Sequence, residues 1–311
     1  ARTQGVPTMN TVINMKTPEV VAPSISSSAM VVEFNASVWT ARKKDHKASA
    51  EVTSSNGADK GVANVFKKIL GDNDELDAVQ KFVGLTRNKH TSMTMPWSDS
   101  GSRLLTTAQY FNYHQEMTSR QQTFNDLVDT FLRVYPLLIA GAQAKIGGLW
   151  RPNEYPTLDQ VRHKFAFRIA YDELPDGGNT GDWRLDLPHE AMESVRNNSA
   201  NNHQLRLKGA MDSVWHRLHD NLTTLARQLD VNDKGKGNRL YDTVFDRAVE
   251  LTEMLGTCNV TGDSQMEAMR RQLEEALHGT NVDQFKKSPT FREETRNKLT
   301  KAIASLPSLD M

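Results

Sequence analysis

Two long stretches of helical periodicity dominate the hydrophobic pattern of the chain. Along residues 104–150, apolar side chains recur at alternating spacings of three and four, which is typical of a helix with one buried stripe. The stripe comprises Tyr110, Met117, Phe124, Val128, Phe131, Tyr135, Leu138, Ala142 and Leu149. Pro136 lies inside this pattern, removes a backbone donor and crowds the preceding turn. The pattern therefore predicts either a kink near Leu132–Pro136 or two collinear helices.

The second stretch covers residues 190–231 and has its own apolar stripe. Its members are Ala191, Val195, Met211, Val214, Leu218, Leu222, Leu225 and Leu229. The run Asn197–Asn202 is polar on every side, which indicates either a helical segment that leaves the body or a break between two helices. We expect the two long helices to pack as an antiparallel, coiled-coil-like pair with a small crossing angle.

Three segments alternate with a period of two, which is typical of half-buried strands. They are residues 32–38, 165–171 and 183–187. Residues 172–181, rich in Gly, Asp and Asn, have turn chemistry and join the last two segments as a predicted hairpin. Because a lone hairpin is marginal in water, we expect residues 32–38 to form a third strand. The sheet is expected at the base of the helical pair.

Shorter helical patterns flank these elements. They cover residues 62–70, residues 76–83 with Asp72 or Asp74 as the N-cap, and residues 240–255, 266–277 and 289–306. The predicted fold is mainly α with a small antiparallel β-sheet (α+β). We divide the chain into an extended arm (1–28), a helical-hairpin domain with a small sheet (29–231) and a C-terminal helical segment (232–311) that begins with a linker.

Composition narrows the function classes. The 311 residues include 38 Lys or Arg and 38 Asp or Glu, so the net charge is zero. A dedicated nucleic-acid binder usually has a basic excess, which this chain lacks. No apolar run approaches the roughly 18 residues that span a bilayer, and we see no signal-peptide pattern. Cys258 is the single cysteine, which excludes an intrachain disulfide and favours a reducing compartment.

The candidate chemistry is weak, and we predict no catalytic, cofactor or metal site. Residues 235–237 (Gly-Lys-Gly) lack the spacing of a phosphate-binding loop, which favours a flexible linker. Asp212, His216 and His219 share a helix face, but no fourth metal ligand is evident. Cys258 would need a histidine and an orienting group brought to it by the fold. An enzyme assembled from scattered residues, such as Asp212 and His216, is the remaining alternative.

Two basic clusters are candidate contacts for a partner or a phosphate group. They comprise Arg42, Lys43, Lys44 and Lys47 in the first half and Lys234, Lys236 and Arg239 in the second. A solvated loop or strand end is the alternative interpretation, because most charge runs simply face water.

Four segments carry a resemblance to a known family. They are Val38–Asp45 (Val-Trp-Thr-Ala-Arg-Lys-Lys-Asp), Leu104-Leu105 with Tyr110, Tyr155-Pro156, and Trp183–Leu187 (Trp-Arg-Leu-Asp-Leu). In this order, across roughly residues 30–230, they resemble a family of uncharacterised tailed-phage proteins that are often encoded beside MoxR-type AAA+ ATPases and von Willebrand A-type proteins. The resemblance implies an adaptor or substrate-like role beside such an ATPase and transfers no functional residue.

These observations lead to one expected function and one alternative. We expect a non-enzymatic, phage-encoded interaction or assembly protein that binds copies of itself or another phage protein, such as a co-encoded AAA+ ATPase. Its expected location is the cytoplasm of the infected host cell or the virion, without membrane contact. The alternative is a nucleic-acid-binding accessory protein that uses the local basic clusters.

Overall fold

A computed structural model describes residues 25–174, 188–230, 242–277 and 282–306. Its strands are β1 (Ala29–Ser37), β2 (Arg42–Lys44), β3 (Phe66–Lys68), β4 (Met95–Pro96), β5 (Arg103–Thr106) and β6 (Ala166–Glu173). Its α-helices are α1 (His46–Ser55), α2 (Asp74–Met93), α3 (Tyr110–Ile146), α4 (Leu158–Arg162), α5 (His189–Leu229), α6 (Asp242–Cys258), α7 (Ser264–Leu277), α8 (Val282–Lys287) and α9 (Pro289–Ala304). Short 3-10 helices lie at Ile25–Ser27, Thr107–Gln109, Gly147–Leu149 and Pro152–Glu154. The predicted class, mainly α with a small antiparallel sheet, is confirmed.

The main sheet has the strand order β4-β5-β1-β6, and every pair in it is antiparallel. β1 pairs with β6 from Met30 opposite Glu173 to Ser37 opposite Ala166, so the strands predicted at residues 32–38 and 165–171 belong to one sheet. The other predicted hairpin strand, residues 183–187, lies outside the described residues. So do most of the predicted arm and the predicted linker at 232–238.

The main sheet lies between two helical layers, because alternate side chains of β1 enter two different hydrophobic clusters. Ala29 and Val31 pack into a cluster with α5, α6, α7 and α9. Val32, on the other face, packs into a cluster with α2 and α3. The neighbours Leu104 and Leu105 of β5 are divided in the same way. The expectation of a sheet at the base of a helical pair is therefore wrong: it assumed one buried face, and β1 has two.

The first helical layer consists mainly of α2 and α3, which run antiparallel. Lys145 Nζ, near the end of α3, donates a hydrogen bond of 3.3 Å to the carbonyl of Asp72, which precedes α2. At the other end, His90 Nδ1 and Tyr113 Oη are 2.7 Å apart. α3 buries most of the predicted stripe, although Leu149 lies beyond this helix and is 41% exposed. The helix continues through Pro136 without a break, so the expectation of two collinear helices is wrong.

The second helical layer is built on α5, which packs against α6 and α9. The run Asn197–Asn202 lies within this continuous helix, so no break occurs there. Its fully buried side chains begin at Ala210, and the preceding half of the helix is mostly exposed. The predicted antiparallel pairing of α3 with α5 is wrong. The buried residues of the two stripes lie in different clusters, on opposite faces of the sheet.

Two arginines join the layers at the C-terminal end of α2. Arg103 of β5 donates from Nε to Thr94 Oγ1 (2.6 Å) and from Nη2 to the Thr94 carbonyl (2.9 Å). Arg217 of α5 donates to the same carbonyl (3.1 Å) and to that of Ser92. Positive charge at a helix C-terminus is favourable, because the last carbonyls are unsatisfied and carry partial negative charge. Burial, with a further contribution from Arg217, lowers the pKa of Arg103 to about 10.

Several local predictions need correction. Residues 62–70, predicted as a helix, form a short loop, the strand β3 and a turn. Asn73, rather than Asp72 or Asp74, caps α2, where its side chain accepts a 2.7 Å hydrogen bond from the Leu76 amide. The three predicted C-terminal helices correspond to α6, α7 and α9, and they share the cluster of α5. None of the described helices has both the length and the apolarity needed to cross a bilayer.

Adjacent leucines on β5 test the two-sided burial. Leu104 and Leu105 are both 0% exposed but belong to different clusters. Each substitution to Ala should lower the free energy of unfolding by about 2–5 kcal/mol, because each leaves a cavity in a packed layer. Urea denaturation followed by circular dichroism measures this. Leu137→Ala, at a residue that is 74% exposed, is the control and should change stability by less than about 0.5 kcal/mol. A loss of stability in only one of the two leucine variants would contradict the burial of the sheet between two helical layers.

Candidate interaction surface

The most distinctive surface is a small two-stranded sheet, here named the basic ribbon and formed by β2 and β3. Arg42 lies opposite Lys68, and Lys44 lies opposite Phe66. Since alternate residues of paired strands share a face, these four side chains point to the same side of the ribbon. All four are exposed, and Phe66 is 61% accessible. The ribbon thus presents three cations and one aromatic ring together.

The opposite side of the ribbon is held by Lys67, which is buried. Its Nζ donates a 2.6 Å hydrogen bond to the Leu149 carbonyl, and it lies 2.8 Å from Glu154 Oε2 and 3.2 Å from Asp45 Oδ2. Burial by itself lowers the pKa of Lys67, but the hydrogen bonds to the two carboxylates outweigh burial and raise it. Lys67 therefore stays charged and ties β3 to the segment that follows α3.

Asp45 connects the ribbon to α1. Its carboxylate caps that helix by accepting a 3.0 Å hydrogen bond from the Ala48 amide. This hydrogen bond, opposed by burial and assisted by Lys67, lowers the pKa of Asp45. Ser49 Oγ donates to the Asp45 carbonyl and accepts from the Val65 amide. Because these bonds join both strands to α1, the exposed face of the ribbon rests on a rigid support.

The structure brings only part of the predicted contact set together. Arg42, Lys43 and Lys44 form β2, and Lys47 lies in the first turn of α1 with its Nζ 3.9 Å from Glu51. Three other members, Lys234, Lys236 and Arg239, lie outside the described residues. The sequence does not reveal Phe66, Lys67 and Lys68 as members of this surface, because the apolar pattern of residues 62–70 predicts a helix. The adjacent lysines at 67 and 68 were the one available signal, but pairing with β2 cannot be seen in a local pattern.

The other candidate residues do not form a site in the described part of the chain. Asp212 lies 2.9 Å from Lys208 Nζ on the surface of α5. Among the described residues, no group of three or more His, Cys, Asp or Glu side chains is arranged to hold a metal ion. Burial raises the pKa of Cys258 to about 11, so its thiol is protonated at neutral pH.

Comparison with known protein families, with curated proteins and with solved structures gave no match. The resemblance to the tailed-phage family therefore stays a prediction.

Replacing the buried lysine tests how the ribbon is supported. Lys67→Met leaves Asp45 and Glu154 facing each other without their cation, so we expect a loss of about 3–5 kcal/mol in the free energy of unfolding. Lys43→Met is the matched control, because Lys43 lies directly opposite on β2 but is exposed. It should change stability by less than about 0.5 kcal/mol. Urea denaturation at neutral pH measures both variants.

The stability lost in Lys67→Met should depend on pH. The pKa of Asp45 is lowered by folding, so its contribution is present above the ordinary aspartate pKa of 3.8 and is lost as the pH falls below it. The stability difference between the wild type and Lys67→Met should therefore shrink in acid. A difference that stays constant down to about pH 3 would contradict a role for the carboxylates.

Proposed function

We propose that this chain is a non-enzymatic interaction or assembly protein that binds through the basic ribbon. The observation behind the proposal is the rigidly supported face on which Arg42, Lys44 and Lys68 surround the exposed ring of Phe66. Aromatic and arginine side chains are enriched at protein interfaces and supply most of the binding energy there. A preorganised surface also avoids the entropy cost of ordering a loop on binding.

The resemblance to the tailed-phage family supports the choice of partners. The proposed partners are further copies of the chain, or another phage protein such as a co-encoded MoxR-type AAA+ ATPase for which it acts as an adaptor. The proposed location is the cytoplasm of the infected host cell or the virion.

A second candidate function is nucleic-acid binding, and the same ribbon favours it. Two-stranded β-ribbons fit the major groove of DNA, and aromatic side chains stack on the bases of single strands. The zero net charge of the chain is less favourable, because long-range attraction to phosphate backbones comes from a basic excess. Assembly is therefore the leading proposal.

Self-association is tested by light scattering during size-exclusion chromatography over a range of concentrations. The wild-type chain should show a mass above that of one 34.9 kDa chain. Phe66→Ser should weaken association by about 30-fold, the effect expected for an interface residue worth about 2 kcal/mol. Leu85→Ser is the matched control, since Leu85 is also 61% exposed but lies on α2.

Two further results would bear on the proposal. A chain that begins at Ala29 shows whether residues 1–28 take part in assembly. A full chain that stays monomeric at every concentration, and that does not bind the co-encoded ATPase in a pull-down, would rule out the proposed function.

The nucleic-acid alternative is tested by fluorescence anisotropy with a single-stranded oligonucleotide. If assembly is the function, binding should be undetectable even at low salt. Contacts from three cations to phosphates would instead produce binding that weakens about 20-fold between 50 and 200 mM salt. Such binding, lost in Lys44→Glu but kept in Lys60→Glu, would replace assembly with the second candidate.

A further inference from the structure

A groove between α6 and α7 complements the basic ribbon in charge and in apolar surface. It has a volume of about 890 Å³, within the range of roughly 300–1,000 Å³ that pockets for drug-sized ligands show. Phe245, Val249 and Leu277 line it with apolar surface. Its rim is acidic, so we name it the acidic groove.

The α6 side of the rim is a row of carboxylates. Asp246, Glu250 and Glu253 are spaced by four and three residues, which places them on one face of the helix. All three are exposed. Lys89 Nζ lies 4.0 Å from Glu250, and among the described residues no cation lies within salt-bridge distance of Asp246 or Glu253. This row keeps an excess of negative charge.

The α7 side contains one cation, which is already neutralised. Arg270 Nη1 lies 2.8 Å from Glu274, and Arg270 Nη2 lies 2.9 Å from Glu267. Hydrogen bonds from Arg270, and also from Arg271, lower the pKa of Glu267 to about 2. The stem of Arg270 passes over Gly256, where a β-carbon would lie 3.0 Å from Arg270 Cδ. Arg270 is therefore occupied by α7 carboxylates and leaves the α6 row uncompensated.

The acidic groove and the basic ribbon complement each other in charge and in apolar content. The ribbon carries three exposed cations around one aromatic ring, and the groove carries three exposed carboxylates beside an apolar floor. Lys68 has a surface pair with Asp72 at 2.8 Å, but exposed pairs of this kind are weak and can exchange partners. The ring of Phe66 would enter the apolar floor while the cations meet the carboxylate row.

One chain cannot make this contact with itself. β3 ends at Lys68, just before α2 begins, whereas Lys89 near the other end of α2 lies beside Glu250 of the groove. The helix α2 begins at Asp74, and the 15 residue steps from there to Lys89, at a rise of 1.5 Å each, separate the two surfaces by about 22 Å. The ribbon and the groove also belong to opposite helical layers.

We therefore propose that the chain assembles head to tail, with the basic ribbon of one copy docked in the acidic groove of the next. This inference rests on the proposed assembly function and specifies how it is carried out. Because the two surfaces differ, the contact is heterologous, and repetition generates a closed ring or an open filament. A second copy is favoured over a foreign partner because each chain of zero net charge carries both complementary surfaces.

The decisive experiment mixes two variants that each lose one surface. Lys44→Glu disables the ribbon, and Glu253→Lys disables the groove. Each variant alone should associate at least tenfold more weakly than the wild type in light scattering. An equimolar mixture should regain association and form a species of at least two chains, because the intact ribbon of one variant can meet the intact groove of the other, and the two reversed charges are also opposite in sign. Raising the salt concentration should dissociate it.

Matched controls separate the contact from general charge effects. Lys60→Glu and Glu275→Lys carry the same charge changes at exposed residues outside the ribbon and the groove, and they should assemble like the wild type. All four sites are exposed, and thermal denaturation checks that each variant folds.

The outcomes distinguish this inference from the function on which it rests. A wild type that assembles while Lys44→Glu and Glu253→Lys assemble equally well overturns the head-to-tail contact and leaves the assembly function intact. A monomeric wild type that binds the co-encoded ATPase also overturns the contact and leaves the adaptor role. A monomeric wild type without that binding overturns both. Oligonucleotide binding lost only in Lys44→Glu assigns the ribbon to nucleic acid, and this too overturns the inference.

Discussion

The burial of both faces of β1 is the constraint on which the rest of the structure depends. Alternate side chains of a strand point to opposite sides, so Ala29 and Val31 require one apolar cover and Val32 requires another. α2 and α3 supply one, and α5 with the C-terminal helices supplies the other. Arg103 and Arg217 add a polar connection, because both donate to the end of α2 from elements that lie outside it.

At the basic ribbon, the buried side chain of Lys67 holds the strands that carry the exposed cations. The ion pairs of Lys67 contribute little net free energy to folding. The desolvation cost of burying an ion pair is about as large as the attraction between its charges. The value of Lys67 is positional: it holds β3 against Asp45, Glu154 and the Leu149 carbonyl at the same time. The neighbouring side chains of the ribbon then face outward in a defined arrangement, which a flexible loop with the same residues would lack.

A zero net charge conceals a strong separation of charge in space. Cations gather on the ribbon, and carboxylates gather along α6 and α7, at opposite ends of α2. An average over the whole chain predicts neither surface. Complementary patches of this kind contribute more to association rate and orientation than to affinity, so the apolar ring of Phe66 and the floor of the groove matter as much.

The sequence by itself determined most of the helices, the strands β1 and β6, the apolar stripes and the basic cluster at residues 42–47. It did so because periodicity reports which face of an element avoids water. Only the tertiary structure decided that α3 packs with α2 rather than with α5. It also decided that Phe66 and Lys68 join Arg42 and Lys44, and that the carboxylates of α6 flank a groove. Apolar burial is non-directional, so a stripe specifies that a helix needs a cover but does not specify which element provides it.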